Sequence, residues 1–319
     1  MESERNEISK VDGSLGCNTP RLLHRQAALV IISRKESFME KWERDIDMRN
    51  SLMDSFENTC KMCRENISLA RSVEASVSRQ QIHYDATVID YPGSRHKNGK
   101  ITVTARKTME AAAAYKGLHT AVLNFASPFS PGGGVHIATL TQEECLCRET
   151  TLWPCISVER CIDDFYGRHE QSASNWLGNA DMIYTPDVKV FKSPHKIPDL
   201  MDESNWYDVD VITMAAPIAS WAKVGGRISD GELIDVFAYR FEKIVQKAAS
   251  ENVDVLILGA FGCGAFGNDP GIVAAGAARV MEAYKCAELF DVVEFACYGS
   301  KKNYRMFRLV LDRYLNASV

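Results

Sequence analysis

The sequence has no apolar run long enough to cross a bilayer. Its apolar stretches are short, and one of the longer ones, residues 253–261, is interrupted by Asp254. A spanning helix needs about 20 apolar residues, so we expect neither a transmembrane helix nor a membrane partner. Residues 1–7 are polar and mostly charged, which is not typical of a secretory signal peptide.

Positive charge is not in excess either, because 37 Lys and Arg stand against 42 Asp and Glu, a net charge of −5. Proteins that bind nucleic acid mainly through its phosphates usually carry surplus positive charge, so we expect no general nucleic-acid binding. A single anionic ligand would have to be held by local geometry. Hydrophobic residues make up 46% and charged residues 25% of the chain, which is typical of a globular protein and excludes disorder as the main state.

A complete zinc pattern is also missing. Cys60 and Cys63 form the one Cys-x-x-Cys pair, and a structural zinc site needs a second pair of ligands. Both cysteines fall on the apolar stripe of a predicted helix, together with Leu52, Phe56 and Ile67. We therefore interpret them as packing residues. Ten cysteines in a chain that shows no export signal favour a reducing compartment, the cytoplasm or the nucleus.

The hydropathy pattern predicts three regions. Residues 1–19 are polar and aperiodic, which predicts a flexible tail, and residues 20–80 are predicted to form a helical extension packed on the core. In the core, residues 81–319, short apolar strands alternate with amphipathic helices, and residues 86–90 are predicted to form an early strand. This alternation indicates an α/β fold with a largely parallel sheet covered on both faces. Ligands of such folds bind where strands lead into helices.

One such connection, the first loop (residues 127–141), contains three consecutive glycines and leads into a predicted helix. Glycines let a ligand approach the backbone closely, and the N-terminus of a helix offers free N–H groups to an anion. Glu143 and Glu144 follow at the start of that helix, after Gln142. The glycines alone would fit a flexible turn, and the carboxylates alone would suit the helix dipole. The combination is more specific for a catalytic site.

The second loop (residues 260–269) also joins a predicted strand to a helix. Gly262, Gly264 and Gly267 match the dinucleotide fingerprint G-x-G-x-x-G. A Rossmann domain places this turn first, whereas here only about 50 residues follow it. The acidic residue expected after the next strand is missing as well. A second phosphate-binding loop is therefore favoured over an NAD site, and an NAD oxidoreductase is a distant alternative.

Together the two loops resemble those of the bacterial-type poly(ADP-ribose) glycohydrolases, a catalytic branch of the macrodomains. The matching motifs are Asn-Phe-Ala-Ser, the Gly-Gly-Gly that precedes Gln-Glu-Glu by seven residues, and Leu-Gly-Ala-Phe-Gly-Cys-Gly-Ala-Phe-Gly-Asn-Asp-Pro. The resemblance extends from about residue 20 to the C-terminus. It implies a three-layer α/β/α macrodomain with a mixed, largely parallel sheet and an N-terminal helical extension, so that residues 81–319 are the catalytic core.

The resemblance also implies an activity and a set of site residues. It implies hydrolysis of ribose–ribose O-glycosidic bonds in poly(ADP-ribose), with ADP-ribose as product. We expect poly(ADP-ribose) or ADP-ribosylated macromolecules as partners, a monomer, and no metal or cofactor. Glu144 matches the catalytic glutamate, and Glu143 matches the glutamate that orients the ribose. The implied substrate-binding residues are Asn124, Ser127, Gly132, Gly133, Gly134, Val135 and Gln142, and, in the second loop, Gly262, Cys263, Gly264, Ala265, Phe266 and Gly267.

Two other functions stay open at this point. A mono-ADP-ribosyl hydrolase acting on protein or nucleic-acid linkages would use the same loops with a different channel. A non-catalytic ADP-ribose reader would lack acids in the catalytic loop, so Glu143 and Glu144 argue against it. Residues 135–141 differ from the Gly- and Ala-rich sequences common in the family, so the substrate channel is expected to differ while the catalytic class is kept. The helical extension suggests exo-type action.

Two further side chains have reactive groups close to these motifs. His136 lies inside the first loop, where Glu144 already supplies an acid, so we interpret it as facing solvent. Cys263 lies between glycines and has no nearby histidine to activate it. We therefore interpret Cys263 as a packing residue rather than a nucleophile.

Overall fold

The computed structural model describes residues 19–222, 226 and 228–316. The predicted tail lies outside these residues except for Thr19, which begins a helix. The chain divides into two compact units, Met1–Asn50 and Ser51–Val319. No helix of the described part is both long and apolar enough for a bilayer crossing.

Helices and strands alternate through the second unit, and the first helix begins in the first unit. The α-helices are α1 (Thr19–Glu65), α2 (Ile67–Arg79), α3 (Thr108–Ala113), α4 (Gln142–Glu149), α5 (Leu152–Ile156), α6 (Glu159–Cys161), α7 (Arg168–Gln171), α8 (Asp230–Ser250), α9 (Pro270–Ala283), α10 (Cys286–Leu289) and α11 (Lys301–Asn316). The strands are β1 (Gln81–His83), β2 (Lys100–Thr104), β3 (Thr120–Ala126), β4 (Met182–Val190), β5 (Tyr207–Ala215), β6 (Val255–Gly259) and β7 (Val292–Ala296).

The strands form one seven-stranded sheet in the order β1-β4-β5-β3-β6-β7-β2. Five of them, from β5 to β2, are parallel, whereas β4 is antiparallel to β5 and to β1. Alternate residues of β6 show why helices cover both faces of the sheet. Leu256 and Leu258 face one core with α8, α9 and α11, and Val255 and Ile257 face the other with α3, α4 and α5. The predicted α/β fold with a mixed, largely parallel sheet between two helical layers is confirmed.

The strand predicted at residues 86–90 is wrong, because the structure has no strand there. The chain pairs with β4 earlier, at Gln81–His83. The segment that follows is held by single hydrogen bonds, for example from the N–H groups of Arg95 and Lys97 to Glu288 O. A short apolar run forms a strand only if its backbone pairs with a neighbouring strand; here Val88 is 92% exposed, and Ile89 is the only buried residue of the five.

Candidate active site

The sheet brings the two glycine-rich loops together. β3 and β6 are parallel neighbours, with Thr120 opposite Val255 and Val122 opposite Ile257. The carboxyl ends of adjacent parallel strands lie at the same edge of the sheet. The first loop follows β3 and the second loop follows β6, so both loops start from this edge.

Gln142 attaches the start of α4 to the end of β3. Its Oε1 accepts the Phe125 N–H at 2.9 Å, and its Nε2 donates to Leu123 O at 2.7 Å and to Thr108 Oγ1 at 3.1 Å. These three bonds fix the first turn of α4, which carries both glutamates.

Glu143 is buried among hydrogen-bond donors. Its Oε2 accepts the Ser127 N–H at 2.7 Å, and its Oε1 accepts the amide of Asn124 at 3.3 Å. The side chain is only 2% exposed. Burial raises the pKa of Glu143 to about 8, the charge of Glu144 acts in the same direction, and the two donors oppose them. The Glu143 carboxyl is therefore protonated at neutral pH.

Glu144 lies beside it and is held by the other end of the first loop. Its Oε1 accepts the Gly134 N–H at 2.8 Å, and its Oε2 accepts the hydroxyl of Thr141. The side chain is 4% exposed. The first loop thus closes around two adjacent carboxyl groups with backbone donors on both sides.

The glycines of the first loop are required by this close approach. Gly133 has a φ of +54°, and a Cβ there would lie 2.8 Å from Glu144 Oε1 and 3.1 Å from Glu143 Oε2. Gly132 has a φ of +71°, and its Cβ would lie 2.8 Å from Cδ1 of Trp153. Any other residue would push the backbone away from the carboxyl groups.

A buried arginine supports the first loop from behind. Arg148 donates through Nη2 to Val135 O at 3.3 Å and through Nε to Leu52 O at 3.2 Å. Val135 itself is fully buried. Arg148 therefore connects the first loop to α1, a contact that no sequence motif indicates.

His136, which follows in the same loop, packs against aromatic rings. Its ring centroid lies 4.9 Å from that of Phe56 and 5.6 Å from that of Trp153, both in edge-to-face geometry. The side chain is also exposed. This placement agrees with the interpretation of His136 as a surface residue, although the aromatic contacts were not predicted.

The second loop presents unused backbone donors. Within the described residues, the N–H groups of Gly264, Ala265 and Phe266 donate no hydrogen bond to the protein. Successive free N–H groups in a loop form a concave site for an anion. Burial raises the pKa of the Cys263 thiol well above its usual range. The thiol form agrees with a packing role for Cys263.

Asn268 holds the second loop in shape, and the sequence analysis missed it. Its Nδ2 donates to Pro217 O at 2.7 Å and to Gly262 O at 2.9 Å. A Cβ on Gly262 would lie 2.5 Å from Ala216 Cβ and 2.7 Å from this amide nitrogen. Asn268 is part of the Gly-Asn-Asp-Pro sequence of the matching motif, but nothing in that sequence indicates a bridge to the end of β5.

A cavity of about 370 Å³ continues from the two loops toward the ends of β7 and β2. Gln142 and Phe266 line its inner part, and Lys107, Tyr298 and Asn303 line its far end. The Lys107 ammonium lies 5.3 Å from the ring centroid of Tyr298. These three residues come from separate segments without a shared motif, so the sequence did not indicate them.

The described cysteines and acidic residues do not assemble into a metal site. No three His, Cys, Asp or Glu side chains of the described part are grouped so that they could hold a metal ion. Cys60 and Cys63 are buried, and burial raises their thiol pKa values to about 11 and about 12. The nine described cysteines are all free thiols.

Comparisons with known proteins agree on one family. The family model of the microbial-type poly(ADP-ribose) glycohydrolase (PARG) catalytic domain matches residues 34–193. The fold is similar to poly(ADP-ribose) glycohydrolase from Thermomonospora curvata bound to the inhibitor ADP-HPD, with a TM-score of 0.70 and 27% identity over 82% of this chain and 99% of that chain.

The similarity extends to a structure with ADP-ribose bound. The poly(ADP-ribose) glycohydrolase from Deinococcus radiodurans in complex with ADP-ribose gives a TM-score of 0.65 and 25% identity over 77% of this chain and 98% of that chain. A search of curated protein sequences gave no significant match.

Proposed function

The chain belongs to the microbial-type poly(ADP-ribose) glycohydrolase family, and on that premise we propose how its two loops hydrolyse poly(ADP-ribose). The enzyme is a glycosidase that cleaves ribose–ribose O-glycosidic bonds and releases ADP-ribose. The observation that carries the assignment of the site is the enclosure of Glu143 and Glu144 by backbone donors of the first loop, at 2.7 and 2.8 Å.

The ligand would cross both loops. We assign the diphosphate to the free N–H groups at residues 264–266, because an anion can satisfy them. The terminal ribose then lies at the two glutamates, with Asn124 and Ser127 beneath it. The adenosine fits the cavity that extends toward Tyr298 and Lys107, since a concave apolar pocket with few polar groups suits a nucleoside.

Glu144 acts as general acid and then as general base. It gives its proton to the 2′-oxygen of the leaving adenosine while the bond between that oxygen and C1″ of the terminal ribose breaks. Positive charge develops at C1″ beside the diphosphate, which stabilises it. A water molecule attacks C1″ and returns a proton to Glu144. The products are ADP-ribose and a chain shortened by one unit.

Glu143 holds the ribose rather than exchanging this proton. Adjacent residues on a helix project about 100° apart, so Glu143 and Glu144 do not flank the sugar from opposite faces as the two carboxylates of most glycosidases do. Because burial keeps Glu143 protonated at neutral pH, it adds no negative charge next to the diphosphate. Its O–H is free to donate to a ribose oxygen.

Three finer features are part of the proposal. We expect exo-type action, and long oligomers among the earliest digestion products would contradict it. We expect a monomer, which light scattering during size exclusion measures directly. We expect a reducing compartment, cytoplasm or nucleus, because deeply buried thiols such as Cys147 and Cys155 have no disulfide partner.

The decisive experiment follows ADP-ribose release from a poly(ADP-ribosyl)ated protein by wild type, Glu144→Gln and a control, Glu159→Gln. Glu159 is an exposed glutamate on α6, so its variant should match wild type. Positioned acid–base catalysis contributes about 10²- to 10⁴-fold, and we expect Glu144→Gln to lose that much while still binding ADP-ribose. Substantial remaining activity would remove Glu144 from this role. Release only from mono-ADP-ribosylated protein would favour the other hydrolase.

A further inference from the structure

Two aromatic side chains that the mechanism does not use form a stacked pair at the rim of the site. The rings of Phe129 and Trp221 have centroids 5.6 Å apart and planes at 18°. Their side chains are 39% and 43% exposed. We call them the aromatic pair. Exposed aromatic faces in a binding cleft usually indicate a ligand surface, because their burial by a ligand is favourable.

The aromatic pair is attached to both loops. The Phe129 N–H donates to Ser127 Oγ at 3.2 Å, and Ser127 is the residue whose own N–H holds Glu143. Trp221 directly follows Ser220, whose N–H donates to Phe266 O at 3.1 Å. Phe129 is therefore part of the first loop, Trp221 lies in the segment after β5 that contacts the second loop, and both rings line a small cavity beside the ends of β3 and β5.

The aromatic pair and the nucleoside cavity lie toward opposite sides of the sheet edge that carries both loops, and the described residues that line the nucleoside cavity do not include the pair. The pair belongs to the ends of β5 and β3, and the far end of the cavity belongs to the ends of β7 and β2. In the sheet order β5-β3-β6-β7-β2, the midpoint of β5 and β3 is three strand spacings, or about 14 Å, from the midpoint of β7 and β2. A bound ADP-ribose would fill the cavity, the second loop and the carboxyl groups. It would leave the aromatic pair on the other side of the scissile bond.

The chemistry of the polymer places an adenine on that side. The scissile oxygen is the 2′-oxygen of the next adenosine, and the adenine is carried by the same ribose ring. We propose that the aromatic pair is a leaving-side subsite that stacks this adenine. The inference rests on the proposed function and extends it, because only a substrate with a second ADP-ribose unit can use the subsite. The aromatic pair would then select polymer over mono-ADP-ribosylated substrates.

Kinetics on two substrates test this. One substrate is poly(ADP-ribose), and the other is an ADP-ribosyl O-alkyl glycoside, which has the same reacting carbon but no second adenine. Losing one stacked ring weakens base binding by about fivefold to a hundredfold. We expect Trp221→Ala to lower kcat/KM for polymer by this factor, chiefly through KM. The alkyl glycoside and ADP-ribose binding should be unchanged. Trp221→Phe should restore most of the polymer activity.

The control is Tyr239→Ala, which removes a ring of similar exposure (42%) from α8, outside both loops. An equal loss on both substrates would mean that the aromatic pair only supports the loops, and equal kinetics of Trp221→Ala and wild type on polymer would also overturn the inference. If wild type binds ADP-ribose but releases none from polymer, the proposed function itself fails.

A binding measurement in the Glu144→Gln background avoids turnover, because this variant should bind but not hydrolyse the polymer. An adenine stacked on tryptophan quenches its fluorescence, so polymer should quench Glu144→Gln more than ADP-ribose does. The extra quenching should be absent in the double variant Glu144→Gln, Trp221→Phe. Equal quenching by polymer in both proteins would contradict the subsite, whatever the kinetics show.

Discussion

Glu143 makes the pH dependence of stability a test of the site's electrostatics. Burial raises its pKa from 4.5 to about 8 in the folded protein. In the unfolded chain the carboxyl is solvated and ionises near 4.5. Between these two values the folded protein holds one proton more than the unfolded chain. The contribution of Glu143 to the free energy of unfolding is therefore fully present below pH 4.5 and is lost as the pH rises to about 8.

The size of the effect follows from the two pKa values. Their difference is 8 − 4.5 = 3.5, and each unit corresponds to 1.36 kcal/mol, which gives a loss of about 5 kcal/mol across this pH range. Glu143→Gln does not titrate, so the variant should not show this loss. The altered hydrogen bonds to Ser127 and Asn124 cost the variant the same free energy at every pH, so the slope alone reports the buried proton.

Urea unfolding at pH 5, 6, 7 and 8 measures this slope. Wild type and Glu143→Gln should diverge steadily, with the variant gaining relative stability as the pH rises. The exposed control Glu159→Gln should run parallel to wild type. If wild type and Glu143→Gln also run parallel, Glu143 is ionised in the folded protein, and our account of its role beside the diphosphate is wrong.

Two more substitutions test the loops. Gly133→Ala should lower kcat by at least about 100-fold, because its Cβ would lie 2.8 Å from Glu144 Oε1. The control is Gly93→Ala, where a Cβ meets nothing within 4 Å. A fully active Gly133→Ala would show that the loop tolerates displacement. Asn268→Ala removes the side-chain donor to Pro217 O and leaves Gly262 O with only the backbone N–H of residue 268, which costs about 1–3 kcal/mol of stability. We expect it to weaken ADP-ribose binding about tenfold, measured by calorimetry. An unchanged affinity would mean that ligand binding does not depend on the shape of the second loop.

The parts of this site that sequence could predict are local in the chain. The glycines and the Gln-Glu-Glu run lie within one strand–loop–helix unit, so spacing alone indicates that they meet. Short continuous apolar runs between amphipathic helices predicted the parallel strands, because such strands are buried on both faces. The wrong strand at residues 86–90 shows the limit of that signal, since pairing depends on a neighbour elsewhere in the chain.

The parts that sequence could not predict are contacts between distant segments. Phe129 and Trp221 stack across the ends of two strands, and Lys107 meets Tyr298 across the far end of the cavity. The sequence around each of these residues contains no motif that indicates a function. Their function is evident only when the sheet order is known, because that order decides which strand ends are neighbours.

The geometry of the first loop depends on helix α1 as well as on its own glycines. Arg148 bridges Val135 O to Leu52 O, 96 residues away from Arg148 along the chain. Nη1 of this buried guanidinium has no hydrogen-bond partner among the described residues, so displacing Leu52 or Val135 would leave further donors unpaired at a cost in stability. Phe56 and Trp153 pack behind the same loop. The motif thus supplies the reacting groups, and residues from α1 and α5 determine where the loop holds them.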